Sequence, residues 1–294
     1  MDAQTLFEAA VRGAVTGLGS GLLAIALVVT FRTTRVLNFA LGGIATIAAF
    51  TMSTLWGAGR MPLGPAVIVV VALGAILGAA GELALQPLAN ATVVVKAVGA
   101  LGLLLLAQAA VTLVWGPGER FLPLLVTSSL GSGGLRLAHQ QLLAAGATLA
   151  LGAAVVVWTR RTRTGTSTLA LAEDVDAARL LGIDPRRVAT IVWALAGAVA
   201  AVAGILLSGF TVLNTTEMTL ALVAALAAAL LAGFGSVPIA VAASAGVGSV
   251  TAVAASVPEL ARISGFVESV GFLAVIAIIL VVRPRQLAAA LERA

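Results

Sequence analysis

GAVTGLGSGLLAIALVVTF, residues 13–31, contains no charged side chain along its whole length. A helix of this size crosses the ~30 Å hydrocarbon core of a bilayer, which takes roughly 20 apolar residues. Similar runs recur along the chain of 294 residues, which is 61% hydrophobic and 10% charged, whereas a soluble domain is about 25% charged. The sequence therefore predicts an all-α protein, a polytopic transmembrane helical bundle.

The predicted bundle has about nine spans, with eight to ten allowed, and forms a single transmembrane domain over residues 1–294. Gly233 to Ser236, followed by Pro238, separate the seventh and eighth runs so closely that 213–256 is either two tight spans or a re-entrant pair. The predicted spans are 13–31, 36–56, 62–84, 98–115, 140–158, 189–208, 213–233, 237–256 and 263–282.

Lysine and arginine residues indicate the orientation, because positive side chains gather in cytoplasmic loops. With the loop at 159–188 placed in the cytoplasm, twelve of the 17 Lys and Arg residues fall inside and five outside. The N-terminus is then external and the C-terminus cytoplasmic. The same bias accounts for the net charge of +5, so we interpret the basic character as a topology signal and expect no nucleic-acid partner.

Several kinds of chemistry are not expected. The chain has no Cys, which excludes disulfides, thiolate metal sites and cysteine nucleophiles. It has one His, His139, and no H-E-x-x-H motif. We therefore predict no catalytic residue, no metal site and no cofactor, and the protein is not expected to be an enzyme.

A charged stretch interrupts this apolar chain: LALAEDVDAARLLGIDPRRVA, residues 169–189. Thr166 to Thr168 are expected to cap a helix that starts near residue 169. Glu173 and Asp174 would lie in its early turns, where negative charge suits the helix dipole. Gly182 is well placed just past the helix end. The sequence thus predicts a short ordered helix between two membrane spans.

The predicted helix carries an apolar stripe at Val175, Ala178 and Leu181. Asp184 and Pro185 then match the N-cap and first residue of the next helix. Two interpretations of the stripe remain open. The helix lies on the lipid surface, or it docks on a cytoplasmic partner. Its acidic start favours the partner, because membrane-surface helices are usually rich in Lys and Arg.

The same stretch resembles the cytoplasmic coupling segment of ABC-transporter permeases of the branched-chain amino acid type, the LivH/LivM family, whose pattern is approximately A-x-A-E-D-x-x-x-A-x-L-L-G-I. Three further stretches resemble the family in order and position: VLNFALGG (36–43), ALLAGFGSVPIA (229–240) and VVRPRQL (281–287). The chain length fits the LivH-like member. The residues that match the coupling pattern are Ala172, Glu173, Asp174, Ala178, Leu180, Leu181, Gly182 and Ile183.

The resemblance implies a permease subunit of an ABC importer in the bacterial inner membrane, translocating branched-chain amino acids or a similar small solute. It implies three kinds of protein partner besides membrane lipid: a second, LivM-like permease subunit, two cytoplasmic ABC ATPases and an external substrate-binding protein. The chain lacks the phosphate-binding motif G-x-x-x-x-G-K-[ST], so other subunits would hydrolyse ATP.

Candidate translocation-path residues come from two glycine-containing stretches that the resemblance highlights. An Asn inside a span is costly unless it is paired, so Asn38 either lines the path at a broken helix or caps a helix start. The glycines serve either packing or hinge motion. The candidates are Asn38, Phe39, Gly42, Gly43, Gly233, Gly235 and Ser236.

Leu41 and Gly43 depart from the family, which has His and Glu there in NFAHGE. This departure implies a more apolar path.

The alternative function is a secondary transporter driven by an ion gradient, which needs acidic or unwound sites near the midplane. Glu82, Gln86, Glu217 and Glu268 are the polar candidates near span ends. We expect Glu268 to be an interfacial acid rather than a functional one. The acidic helix predicted near residue 169 disfavours this alternative, because a carrier that works alone has no use for it.

Overall fold

The computed structural model describes residues 3–89, 91–123, 125, 129–130, 137–209 and 212–257. The last predicted span, 263–282, lies outside the described residues, as do Glu268 and the stretch at 281–287. The α-helices are α1 (Ala3–Thr34), α2 (Ala40–Met52), α3 (Leu63–Leu85), α4 (Val93–Trp115), α5 (His139–Arg161), α6 (Arg163–Glu173), α7 (Val175–Leu180), α8 (Pro185–Leu207), α9 (Glu217–Leu231) and α10 (Val237–Ser256).

Seven helices in the described part of the chain are long and apolar enough to cross a membrane. They correspond to seven of the predicted spans. Predicted span 213–233 instead forms α9, a helix of 15 residues that is shorter than a full crossing. A π-helical turn, Ser53–Gly57, continues α2, and a short 3₁₀ turn, Gln86–Leu88, continues α3.

Helix α1 is the centre of the bundle. Residues 21–30 of α1 are all buried, and the helix contacts α5, α8, α9 and α10. Its crossing with α10 is close because both helices carry glycine there. A Cβ added to Gly13 would lie 2.5 Å from the Cβ of Ala252. Small residues at such crossings let helix backbones approach in a membrane.

Helices α3 and α8 cross in the same way. A Cβ added to Gly74 would lie 2.5 Å from the Cβ of Ala201, and a Cβ on Gly78 would overlap the backbone carbonyl of Trp193. The outward sides of α3 and α4 expose large aliphatic side chains such as Ile76 and Leu113. Such a surface suits lipid or a second membrane subunit.

The segment between α4 and α5 is tied to the bundle at the end opposite the α5–α8 connection (residues 162–184). Strands β1 (Ser129–Leu130) and β2 (Leu137–Ala138) form an antiparallel pair. Arg120 and Leu213 exchange backbone hydrogen bonds of 3.0 and 2.8 Å. The loop that follows α4 thereby holds the connection between α8 and α9.

The α3–α8 crossing generates a stability prediction. Gly78→Ala should lower the melting temperature in detergent, since its Cβ meets fixed backbone; overpacking of this kind costs about 1–3 kcal/mol. Gly102→Ala is the matched control, because nothing lies within 4 Å of a Cβ built there. Alanine in place of an exposed helical glycine should stabilise by about 0.5–1 kcal/mol. Equal melting shifts in the two variants would contradict the packing account.

Candidate functional site

The α5–α8 connection is helical, but its first helix starts earlier than predicted. The hydroxyl of Thr162 accepts a hydrogen bond of 3.0 Å from the backbone N–H of Gly165, so α6 begins at Arg163. The expected start near residue 169 is therefore wrong. Thr168, one of the expected caps, is buried within α6 and donates its hydroxyl to the carbonyl of Gly165 at 2.6 Å. Thr162, an earlier threonine, caps the helix instead with the same kind of hydroxyl group.

The expected single helix is broken at Asp174. Its carboxylate accepts hydrogen bonds from the backbone N–H groups of Asp176 (2.9 Å) and Ala177 (3.0 Å), which makes it the N-cap of α7. Glu173 is the last residue of α6, so its predicted place in an early helical turn is also wrong. An aspartate that can satisfy the orphan donors of a new helix competes with continuation of the old one.

The end of α7 follows the prediction for Gly182. Gly182 has φ +81° and donates its N–H to the carbonyl of Arg179 at 2.9 Å, while Ile183 donates to Ala178 at 3.1 Å. These two bonds form a Schellman motif, which needs a residue with positive φ. The prediction for α8 is confirmed as well, because Asp184 caps it at 3.0 Å through the N–H of Arg186 and Pro185 is its first residue.

The predicted apolar stripe is only partly buried. Ala178 is 1% exposed, whereas Val175 is 40% and Leu181 is 80% exposed. The neighbouring Leu180 is 90% exposed. Within the Schellman motif Ala178 and Ile183 take the inward positions, so the two leucines between them project outward. The α7 turn thus presents two adjacent, exposed leucines beside the exposed ion pair of Asp176 and Arg179 (3.2 Å).

One hydrogen bond links this connection to the end of α1. The guanidinium of Arg35 donates to the carbonyl of Ala172 at 2.6 Å. Leu171, which precedes Ala172, is 3% exposed and belongs to the main core cluster. Helix α6 packs on α1, α5 and α8. A displacement of α6 therefore acts directly on the helices that surround α1.

Arg35 also ends α1. It has φ +54°, and its N–H donates to the carbonyl of Phe31 at 2.8 Å, which is the αL type of helix ending. Left-handed backbone costs a non-glycine residue roughly 1–2 kcal/mol. Residues 35–38 are non-helical and α2 starts at Ala40. In the sequence Arg35 stands out only as one of the positive charges that orient the chain, and its place between an apolar run and Asn38 is the signal for a helix end.

Asn38 lies in this break and is completely buried. Neither its Oδ1 nor its Nδ2 has a hydrogen-bond partner in the described structure. The N-cap of α2 is Phe39, and no side chain caps that helix. The alternative in which Asn38 caps the helix start is therefore wrong. An unpaired buried amide costs about 1–3 kcal/mol, so this position holds polar groups that the fold itself leaves unused.

The candidate glycines fall into two structural classes. A Cβ on Gly42 would lie 3.1 Å from Cδ2 of Leu222, and one on Gly43 would lie 2.5 Å from the Cβ of Ala107. These two glycines let α2 pack closely on α9 and α4. Gly233, in contrast, has φ +58° and ends α9, donating to the carbonyl of Leu230 at 2.8 Å.

The turn at 233–236 joins α9 to α10. Ser236 is the N-cap of α10, accepting at 3.5 Å from the N–H of Ile239. The ring of Phe234 lies 4.3 Å from that of Phe31 near the end of α1. Gly235 and Ser236 line a cavity of about 320 Å³ together with Arg32, Arg160 and Leu169. The turn therefore adjoins the α5–α8 connection.

The structure does not bring the two groups of candidate path residues together. Gly42 contacts Leu222, which precedes Gly233 by eleven residues, roughly 16 Å along a helix. Asn38 and Gly42 thus belong to the inner part of the bundle, and Gly233 to Ser236 to its edge. Among the residues described, no group of three His, Asp or Glu side chains could hold a metal ion.

Residues 9–282 match the family described as the branched-chain amino acid transport system permease component. The chain belongs to this family. The resemblance seen in the sequence is thereby confirmed, and the match extends over the described helices and the predicted last span.

Individual relatives agree with this assignment. The chain is 27% identical to the high-affinity branched-chain amino acid transport system permease protein BraD of Pseudomonas aeruginosa, over 78% of this chain and 79% of the relative. It is 28% identical to LivH of Escherichia coli K12, over 77% and 78%. The corresponding protein of Salmonella typhimurium gives the same values. No solved structure matches.

The orphan amide of Asn38 generates the second prediction. Asn38→Leu removes two unpaired buried polar groups, so the melting temperature should rise or stay unchanged while transport falls. Gln140→Met is the control: Gln140 is also buried and its Oε1 is likewise without a partner, but its Nε2 donates to the carbonyl of Leu206 at 3.0 Å. Loss of that bond should destabilise by about 1 kcal/mol. Unchanged uptake in Asn38→Leu would remove Asn38 from the path.

Proposed function

We propose that this chain is a permease subunit of an ABC importer that translocates branched-chain amino acids or a similar small solute. The proposal rests on the family, on the transport function of the relatives and on the α5–α8 connection. Separate cytoplasmic ATPases supply the energy. A second, LivM-like permease subunit completes the membrane part, and an external substrate-binding protein delivers the solute. Residues 1–294 act as one permease domain.

The proposed setting is the bacterial inner membrane. The α5–α8 connection faces the cytoplasm, which places the N-terminus outside and the C-terminus inside. This orientation keeps the basic loops on the cytoplasmic side. It also puts the connection where soluble ATPases can reach it.

The observation that carries the proposal is the exposed pair Leu180 and Leu181 on the α7 turn. Exposed apolar side chains rimmed by polar residues are typical of contact sites for proteins or membranes. The acidic residues Glu173 and Asp174 favour a protein partner here, because membrane-surface helices are usually rich in Lys and Arg. The turn is rigid, because Asp174 caps one end and Gly182 closes the other. We assign the ATPase contact to the residues of the coupling pattern, with the leucines at its centre and the buried Ala178 positioning them: Ala172, Glu173, Asp174, Ala178, Leu180, Leu181, Gly182 and Ile183.

Arg35 would transmit a movement of α6 to the interior of the bundle. When the ATPases move α6, the bond between Arg35 and the carbonyl of Ala172 pulls on the left-handed residue that ends α1. Three residues further on lies Asn38, with its unpaired amide. We propose that the 35–38 break opens and closes in response, and that Asn38 meets the solute or its water there. Phe39, Gly42 and Gly43 form the adjoining start of α2.

The turn from Gly233 to Ser236 is proposed as the second flexible element. It contacts α1 through Phe234 and Phe31, and it shares a cavity with Leu169 of α6. A shift of α6 would reach α9 and α10 through this turn. The start of α2 at Gly42 and Gly43 and the turn from Gly233 to Ser236 then act at different depths of the same bundle.

Purification of the tagged chain from native membranes in mild detergent tests this proposal. Co-purifying ATPases are expected with the unaltered chain. Leu181→Asp should reduce them at least about tenfold, since burying a new carboxylate in an apolar contact costs several kcal/mol. Glu173→Lys should weaken the contact if the acidic edge pairs with basic groups.

Phe121→Asp is the matched control for the docking test. Phe121 is 75% exposed but lies at the other end of the bundle, so its variant should keep the ATPases. Size-exclusion profiles would verify that each variant remains folded. An unaltered chain that purifies alone would contradict the importer, and full retention of ATPases by Leu181→Asp would place the contact elsewhere.

A further inference from the structure

A cleft of about 360 Å³ lies between α1, α9 and α10. Its volume falls in the range of small-molecule binding sites, about 300–1,000 Å³. The cleft exists because α1 and α10 cross closely at Gly13, Gly17 and Gly248, while α9 forms its third side. None of the candidate path residues lines it.

The cleft is at the end of the bundle opposite the α5–α8 connection. Arg12, on its rim, precedes Thr34 by 22 residues of continuous helix, which is roughly 33 Å. This distance is close to the thickness of a bilayer core. Glu217, also on the rim, begins α9, whose other end leads to the turn beside Arg32. In the proposed orientation the cleft opens on the outside.

The rim carries one positive and one negative group. Arg12 and Glu217 are the charged side chains among the described residues that line the cleft. They are not paired with each other, because the one ion pair within the described residues joins Arg179 and Asp176. The backbone N–H of Glu217 donates to Oδ1 of Asn214 at 2.9 Å. Within the part of the chain that the structure describes, neither rim charge has an ion-pair partner.

The interior of the cleft is apolar. Ala221, Ala224 and Val247 contribute to its walls. The hydroxyls there already donate to backbone carbonyls: Thr16 to Arg12 at 3.0 Å and Thr251 to Val247 at 2.8 Å. The lining thus offers a small apolar chamber beneath two separate charges of opposite sign.

We propose that this cleft binds a zwitterionic aliphatic amino acid on its way into the transporter. Arg12 pairs with the carboxylate, Glu217 with the ammonium group, and the apolar side chain enters the chamber. The inference rests on the proposed function, whose solute class it specifies further. A purely cationic or anionic ligand would leave one rim charge unpaired.

Helix α9 places the cleft next to the proposed path. Ala221 and Ala224 face the cleft, while Leu222 contacts Gly42 at the start of α2. A solute in the cleft is therefore separated by one helix from the break that contains Asn38. A rotation or tilt of α9 would open the way between them.

Cysteine accessibility tests the proposal directly, because the chain contains no native Cys. Ala221→Cys, in the full chain in native membrane vesicles, should react with a membrane-impermeant thiol reagent added outside. Saturating L-leucine should slow that reaction about tenfold. Leucinamide, which lacks the carboxylate, and 4-methylpentanoate, which lacks the ammonium group, should not protect.

Rim variants complete the test. Arg12→Gln and Glu217→Gln should each raise the leucine concentration needed for half-protection about tenfold or more, the usual loss for a hydrogen bond to a charged group. Arg12→Lys should restore part of the protection by leucine.

Glu8→Gln, on the same helix but outside the cleft, should leave protection unchanged. Ala58→Cys, in an exposed loop, should be labelled without protection.

Three results would overturn the proposal: no labelling of Ala221→Cys, labelling that leucine does not slow, or equal protection by leucine and both analogues. The last result, or displacement only by added phospholipid, would indicate an apolar or lipid site. The assay uses neither ATP nor ATPase binding. Its failure is therefore distinguishable from failure of the importer assignment, which the co-purification experiment tests.

Discussion

The bundle depends on close approach of helix backbones at glycine. Lipid tails are as apolar as leucine, so helices in a membrane gain little from burying aliphatic side chains and associate through tight packing instead. Gly13 and Gly17 supply such contacts between α1 and α10, and Gly74 and Gly78 between α3 and α8. The α1–α10 crossing helps to bury α1, and the two ends of α1 make different contacts. One end borders an open cleft, and at the other end Arg35 donates a hydrogen bond to a backbone carbonyl of α6.

The C-terminal end of α1 links the α5–α8 connection to the interior of the bundle. Arg35 turns the chain in a left-handed conformation and donates to the carbonyl of Ala172, so a single residue ends α1, contacts α6 and begins the break at 35–38. Non-helical backbone at membrane depth is tolerated where protein surrounds it, and the burial of Asn38 satisfies that condition. The unpaired amide there is a cost that a moving, solute-contacting element would explain.

The helical spans and helix caps, which depend on neighbouring residues, were predictable from the sequence. The burial of side chains and the contacts between helices distant in sequence were not. The spans followed from hydrophobic runs, and Gly182 and Asp184 from cap preferences that act over a few residues. The start of α6 was missed because Thr162 and Thr166 to Thr168 are equally good caps, and only packing of α6 selects the first. Burial of Asn38 depends on helices distant in sequence. The cleft between Arg12 and Glu217 brings together residues about 200 positions apart, which no local pattern records.

We propose that ATP hydrolysis by separate subunits drives solute through this chain. Uptake of labelled leucine by proteoliposomes that contain the co-purified transporter and its external binding protein would test it most directly. ATP would be enclosed in the compartment that faces the α5–α8 connection, and an ionophore would collapse ion gradients. Uptake should require ATP and should persist when the ionophore is present. Uptake that needs a gradient and proceeds without ATP would contradict it and identify a secondary transporter.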